Sequence, residues 1–141
     1  MVVGYATSAR PNSDLVVKAL SMATNQYPSK DTIIHSEMGS IFKSERYRNA
    51  VKQAGLVQSM GNAGLSFANQ MIESFFGKIK TELLHTRSWK SDEEPNKEIT
   101  YSCECFYNSI RPQMVLSGGT PLEEFHFLTT CTMIPAIAIV A

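Results

Sequence analysis

The feature that most constrains this chain is a change of hydrophobic period that occurs repeatedly in its first 60 residues. Short apolar runs at Val2-Val3-Gly4-Tyr5-Ala6, Thr32 to His35 and Leu56 to Ser59 read as strands. Between them lie stretches with helical spacing. Pro11-Asn12-Ser13 reads as a turn and helix start, followed by Leu15, Val16, Ala19, Leu20 and Ala23 on one face, and Tyr27-Pro28-Ser29 ends that helix. Ser44 can cap a second helix that turns Tyr47, Ala50, Val51 and Ala54 inward, with Gly55 in the C-terminal position. Alternation of this kind argues for α/β layering.

The second half of the chain reads as helical. Gly61-Asn62-Ala63-Gly64 is a loop, and a long helix follows from about Phe67 to Leu84 with Phe67, Met71, Ile72, Phe75, Phe76, Ile79 and Leu83 on its apolar face. Ser91 with Glu94 forms a capping box for a last helix, in which Pro95 is tolerated because it falls in the first turn. That helix is expected to bury Ile99, Cys103, Phe106, Tyr107 and Ile110. No internal repeat or low-complexity linker interrupts the pattern.

Composition narrows the possibilities without choosing among them. A chain of 141 residues with 43% apolar residues is enough for one globular domain and argues against wholesale disorder. Thirteen basic and thirteen acidic side chains cancel, so any nucleic-acid partner must be sought in local clusters. Three cysteines do not make a disulfide framework, and a reducing, cytoplasmic setting is expected. Cys103, Cys105, His126 and Cys131 make a poor zinc pattern, because Cys-x-Cys lies inside a helical segment with no second matching pair. The apolar end from Phe127 to Ala141 is shorter than the ~20 residues of a membrane span and is broken by Pro135; it is expected to be buried or aggregation-prone, with no membrane as partner.

Two carboxylates stand out. Glu37 follows the second apolar run in "HSEMGS", and Glu73 lies in "NQMIESFFGKIK", with 35 residues between them. An acid at a strand end and another on a packed helix could be two of the hard oxygen ligands that two-metal phosphoryl transfer requires. The alternative is that both are surface acids, the usual place for carboxylates. His35 can orient its neighbours by hydrogen bonding, and Ser36 lacks the histidine and acid that would make it a nucleophile. Basic residues cluster at Lys43, Arg46, Arg48 and Lys52, and again at Lys78, Lys80, Arg87 and Lys90.

The wording around the acids is more specific. "IIHSEMGSIF", "AGLVQSM", "ANQMIESFFGKIKTELL" and "FYNSIRP" with "TPLEEF" occur in this order, and together they resemble the catalytic core of insertion-sequence transposases of the retroviral-integrase superfamily. The resemblance runs from about Val2 to Phe125. It implies an α/β fold of the ribonuclease H-like kind, here an incomplete integrase core lacking its first strands, with a helical C-terminal part. Residues 1–125 would form the partial core and residues 126–141 an apolar tail outside the pattern. The family uses an Asp-Asp-Glu triad; by position Glu37 stands for the second acid and Glu73 for the third. The resemblance implies Mg2+ (or Mn2+) held by Glu37 and Glu73, and DNA contacted by Lys78, Lys80, Arg111, Lys43 and Arg46. Asn108 and Arg111 fall in its Tyr-Asn-x-x-Arg-Pro stretch.

The departures define a second expectation. The strand bearing the first Asp would precede this chain, and neither Asp14 nor Asp31 stands in its context. Glu37 in place of Asp moves the carboxylate about 1.5 Å in a site that tolerates ~0.5 Å. Ala68 and Gln113 replace an Asp and a His, and Leu116-Ser117-Gly118-Gly119 is irregular. The implied activity, metal-dependent DNA strand cleavage and joining in transposition, is therefore expected to be lost here. DNA binding, association with a related transposase chain or an upstream-encoded segment, or a non-functional remnant are the readings left open.

Overall fold

The computed structural model describes residues 1–61, 70–91 and 93–131, with the side chain of Cys131 excepted. The expected loop from Asn62 to Gly64, the helix positions Phe67 and Ala68, and the apolar tail from residue 132 lie outside the described residues. The chain divides into two compact units: Val3–Ile72, and residues 73–131 together with Met1 and Val2. Its character is α/β, with a small parallel sheet and a predominance of helix.

The first unit is organised around a strand–helix–strand crossover. Helix α1 (Ser13–Gln26) begins where Asn12 accepts a hydrogen bond from the Leu15 N–H at 2.9 Å, and it ends at Tyr27, whose N–H donates to the Ala23 carbonyl. Its buried residues Val16, Ala19, Leu20 and Ala23 follow the spacing seen in the sequence. Strand β1 (Ile33–Ser36) pairs in parallel with β2 (Val57–Met60), in the register Ile33 to Val57 through Ser36 to Met60. Helix α2 (Glu45–Gln53) connects them.

Both ends of α2 are specified locally. The Ser44 hydroxyl accepts from the Tyr47 N–H at 3.2 Å. At the other end Gly55 takes φ +71, its N–H donates to Lys52, and the Leu56 N–H donates to Val51. This pair of bonds is the Schellman closure, and it needs a residue that tolerates a left-handed conformation. Tyr47 and Val51, four residues apart, are the buried side chains of α2, and Tyr47 meets the edge of Phe42 with ring centroids 5.4 Å apart.

One expectation about the strands, that for the opening run, is corrected. Thr32, Ile34 and Ser36 are buried, but Ile33 and Val57 are each about half exposed, so among the described residues one face of the sheet is covered. The opening run Val2–Ala6 joins no ladder among the described residues; the sheet has two strands. At Val2, in the second unit, a side chain stands where a strand neighbour was expected. The Val2 N–H donates to Asn108 Oδ1 and the Val2 carbonyl accepts from Asn108 Nδ2, both at 2.8 Å, so a side-chain amide satisfies the groups a neighbouring strand would otherwise bind. Val3 and Gly4, in the first unit, are buried, Gly4 lying hard against α1.

The second unit is helical. Helix α3 (Gln70–Lys78) runs on as π-helix over Ile79–Leu84, and α4 (Glu93–Tyr101) runs on as π-helix over Ser102–Ile110. A turn of 3-10 helix at Met114–Leu116 leads to α5 (Pro121–Cys131). Thr120 and Glu123 form a reciprocal capping box there: Glu123 accepts from the Thr120 N–H at 2.8 Å and the Thr120 hydroxyl accepts from the Glu123 N–H. The reach of Glu94 differs from the expected box with Ser91: at the start of α4 its carboxylate accepts from the Lys90 N–H at 3.0 Å.

The π-helical winding also explains why an α-periodic face was wrong for the last helix. Its hydrogen bonds span five residues, as from the Arg111 N–H to Phe106 O at 2.7 Å. The buried residues of that segment are accordingly Cys103 and Asn108, five apart, while Phe106 and Ile110 are exposed. On α3 and its continuation the buried pair is Phe75 and Ile79; Met71 and Phe76 face outward, and Phe75 packs edge-on against Tyr107 at 4.8 Å. Among the described residues no helix is long and apolar enough to cross a membrane.

Two substitutions test this packing. A Cβ at Gly4 would lie 2.4 Å from the Ala19 carbonyl oxygen and 2.8 Å from the Ala23 nitrogen, both backbone atoms that cannot step aside. Gly4→Ala should destabilise by about 1–3 kcal/mol in chemical denaturation. The Tyr47 hydroxyl is buried with no hydrogen-bond partner among the described residues, and burial pushes its pKa up to about 12. Tyr47→Phe should therefore leave stability unchanged or raise it by up to ~1 kcal/mol, whereas Tyr47→Ala should cost about 3–5 kcal/mol.

Candidate functional site

Glu37 is the first residue after β1, at the carboxyl ends of the two parallel strands, and it is exposed. In open α/β sheets this end is where ligands collect, because strand ends and the loops after them leave backbone and side chains facing a common space. The carboxylate folds back over Gly39, where a Cβ would lie 3.2 Å from its Oε1. Beside it, His35 Nδ1 lies 3.1 Å from Ser59 Oγ across the strand pair. His35 Nε2 is buried and faces Gly61, with no hydrogen-bond partner among the described residues; a Cβ on Gly61 would approach it to 3.1 Å.

Glu73 stands in the first turn of α3 and is exposed. It belongs to the second unit and Glu37 to the first. Among the described residues no three His, Cys, Asp or Glu side chains converge as a metal cluster would require.

The basic residues differ in how far their charge is already matched. Arg46 pairs with Asp14, both well exposed. Arg111 caps the second π-helical segment and makes a two-pronged pair with Glu82, one contact being Nη2 to Oε1 at 2.8 Å. Lys43 and Lys80 are exposed and Lys78 is half-buried; none of the three makes an ion pair among the described residues. Cys103 is buried, and burial, followed by the charge of Glu104, pushes its thiol up to about 11, so it stays neutral.

A cleft that the sequence did not reveal lies within the second unit. Its volume is about 280 Å³; Phe75, Ile79 and Tyr107 supply apolar walls, and Lys78, Glu82 and Arg111 are charged groups at its side. Phe75, Ile79 and Leu83 line it at ordinary α spacing, whereas Ser102 and Tyr107, and Phe106 and Arg111, reach it from positions five apart in the π-helical segment.

The Glu82–Arg111 pair carries a pH signature. The hydrogen bond from Arg111, then its charge and that of Lys78, lower the Glu82 pKa from the ordinary 4.5 against an opposing effect of burial. The carboxylate is lowered in the folded state, so the stabilisation is complete above pH 4.5 and disappears as pH falls through the lowered value. Glu82 is about half exposed and Arg111 less so, and solvent screening limits the contribution to about 0.2–1 kcal/mol. Thermal midpoints measured from pH 6 down to pH 3 should fall less for Glu82→Gln than for the unsubstituted chain.

Comparison with known proteins bears on the family of the chain. Residues 73–128 match the family model described as integrase core domain. The chain is 31% identical over 123 residues to the transposase for insertion sequence element IS904 of Lactococcus lactis, covering 86% of this chain and 49% of that protein. It is 36% identical over 123 residues to the transposase for insertion sequence element IS629 of Shigella sonnei, covering 87% and 41%. With the transposase InsF for insertion sequence IS3A of Escherichia coli the identity is 30% over 125 residues, covering 88% and 43%. The chain thus spans about half the length of the curated relatives it matches. Over that span, it belongs to the insertion-sequence transposases of the integrase superfamily.

Proposed function

We propose that this chain acts in transposition as part of a ribonuclease H-like integrase core, with DNA as its partner, and that by itself it does not cleave or join strands. The observation that carries the reading is the similarity to transposases over 86% of the chain, a stretch that includes both candidate acids. Residues 1–125 would be the core-derived part, followed by a distinct apolar tail.

Glu37 and Glu73 are the residues we assign to metal, Mg2+ or Mn2+. Both are exposed carboxylates, the hard oxygen donors such cations prefer. The group, when bound, would activate a nucleophile and stabilise charge on a phosphodiester. Among the described residues no three His, Cys, Asp or Glu side chains group as a metal cluster would require, and Glu37 is longer than the Asp of the family pattern. Lys43, Lys78 and Lys80 are the candidate DNA contacts with no ion pair among the described residues; Arg46 and Arg111 would have to give up Asp14 and Glu82.

DNA affinity arises from neutralising phosphates and does not need the acids, so it can persist without chemistry. The purified chain should bind a short duplex weakly, irrespective of sequence, with an affinity that falls steeply as salt rises. It should leave the duplex intact in magnesium or manganese. Replacing Lys78 and Lys80 together with Ala should weaken binding and flatten the salt slope. Glu73→Gln should not weaken it, because that change removes a negative charge near the DNA. Nicking or joining of the duplex by the unsubstituted chain would overturn the proposed inactivity, and a lack of any duplex binding would overturn DNA as its partner.

A further inference from the structure

We infer that the exposed face of α2 bearing Arg48 and Lys52 docks on the phosphodiester backbone of duplex DNA, an inference that rests on DNA being the partner. The neutral total conceals a separation of charge. The first unit has seven basic and four acidic side chains, the second six basic and nine acidic. By net charge a polyanion is drawn to the first unit as a whole, whereas in the second it can be met only locally, as at Lys78 and Lys80.

Within the first unit, packing sets the direction in which α2 faces solvent. Tyr47 and Val51 are buried, so Arg48, Asn49, Lys52 and Gln53 are left on the exposed side. Arg46 is matched by Asp14. Arg48 and Lys52 make no ion pair among the described residues, not even with Glu45, the one acid on the helix. They stand at i and i+4, with Cβ atoms about 6 Å apart, a spacing at which like charges disfavour the helix. Lys52 lies in the last turn, where a cation complements the helix dipole; Arg48 lies mid-helix and gains nothing of that kind. An unmatched like-charge pair on a rigid face fits two phosphates, and the amides of Asn49 and Gln53 beside it can donate to phosphate oxygens. The exposed side chains of α2 include no apolar one, so the face lacks the anchor that a membrane-surface helix requires.

The test uses the full chain and a short duplex at several salt concentrations. Arg48→Ala with Lys52→Ala should reduce the slope of log affinity against log salt by close to two units, ~0.9 per lost phosphate contact. Its thermal midpoint should stay the same or rise slightly, since a repulsive pair is relieved while Tyr47 and Val51 stay in place. Lys90→Ala with Lys97→Ala removes the same charge from the second unit and should leave the slope unchanged. Equal effects of the two double variants, or no effect of the α2 pair while the unsubstituted chain binds, would overturn the docking face and leave DNA as partner intact. Failure of the unsubstituted chain to bind any duplex would overturn the underlying reading as well. Binding to phosphatidylserine vesicles that is lost in the α2 variant would identify a membrane surface in place of DNA and overturn the inference.

Discussion

The parallel pairing of β1 with β2 is the constraint on which the first unit depends. Parallel strands cannot be joined by a tight turn, so the chain must leave one strand, cross over and return in the same direction. Here the crossover is α2, and its length is set at both ends by local chemistry: the Ser44 cap and the left-handed Gly55. Between them Tyr47 and Val51 hold the helix in place. With helix length and seat determined, the register of β1 on β2 follows. That register puts His35 opposite Ser59 and leaves Glu37 at the strand ends.

The same seat gives α2 its outward chemistry. A helix that buries one stripe must expose the opposite one, and here that stripe is cationic. The charge that a nucleic-acid partner would need is absent from the composition as a whole and appears locally, α2 being one such place. In the second unit the corresponding device is the π-helical winding. Adding a residue to each turn brings Cys103 and Asn108 inward together, and Asn108 then reaches Val2 at the start of the chain.

Much of this was legible in the residues. Caps are local signals, and Asn12, Ser44 and Gly55 did what their side chains and conformational freedom dictate. The amphipathic stripe of α1 was readable because α-helical period and burial agree there. Where the period itself changed, the reading failed. Phe106 and Ile110 look like core residues at α spacing and are exposed in a π-helical segment. Val2–Ala6 looks like a strand by composition, yet strand formation needs a partner, and Val2 is satisfied by an amide from more than 100 residues away.

By itself, then, the sequence determined the succession of α1, β1, α2 and β2, the ends of these helices and the family to which the wording around Glu37 and Glu73 points. These depend on neighbours along the chain, or on patterns preserved within it. Only the tertiary structure decided which cations are already matched, as Arg46 is by Asp14 and Arg111 by Glu82, and which are left open among the described residues, as Arg48 and Lys52 are. Asp14 and Arg46 are 32 positions apart, and Glu82 and Arg111 are 29 apart. Ion pairs of that separation follow from how helices pack, which no local spacing rule encodes.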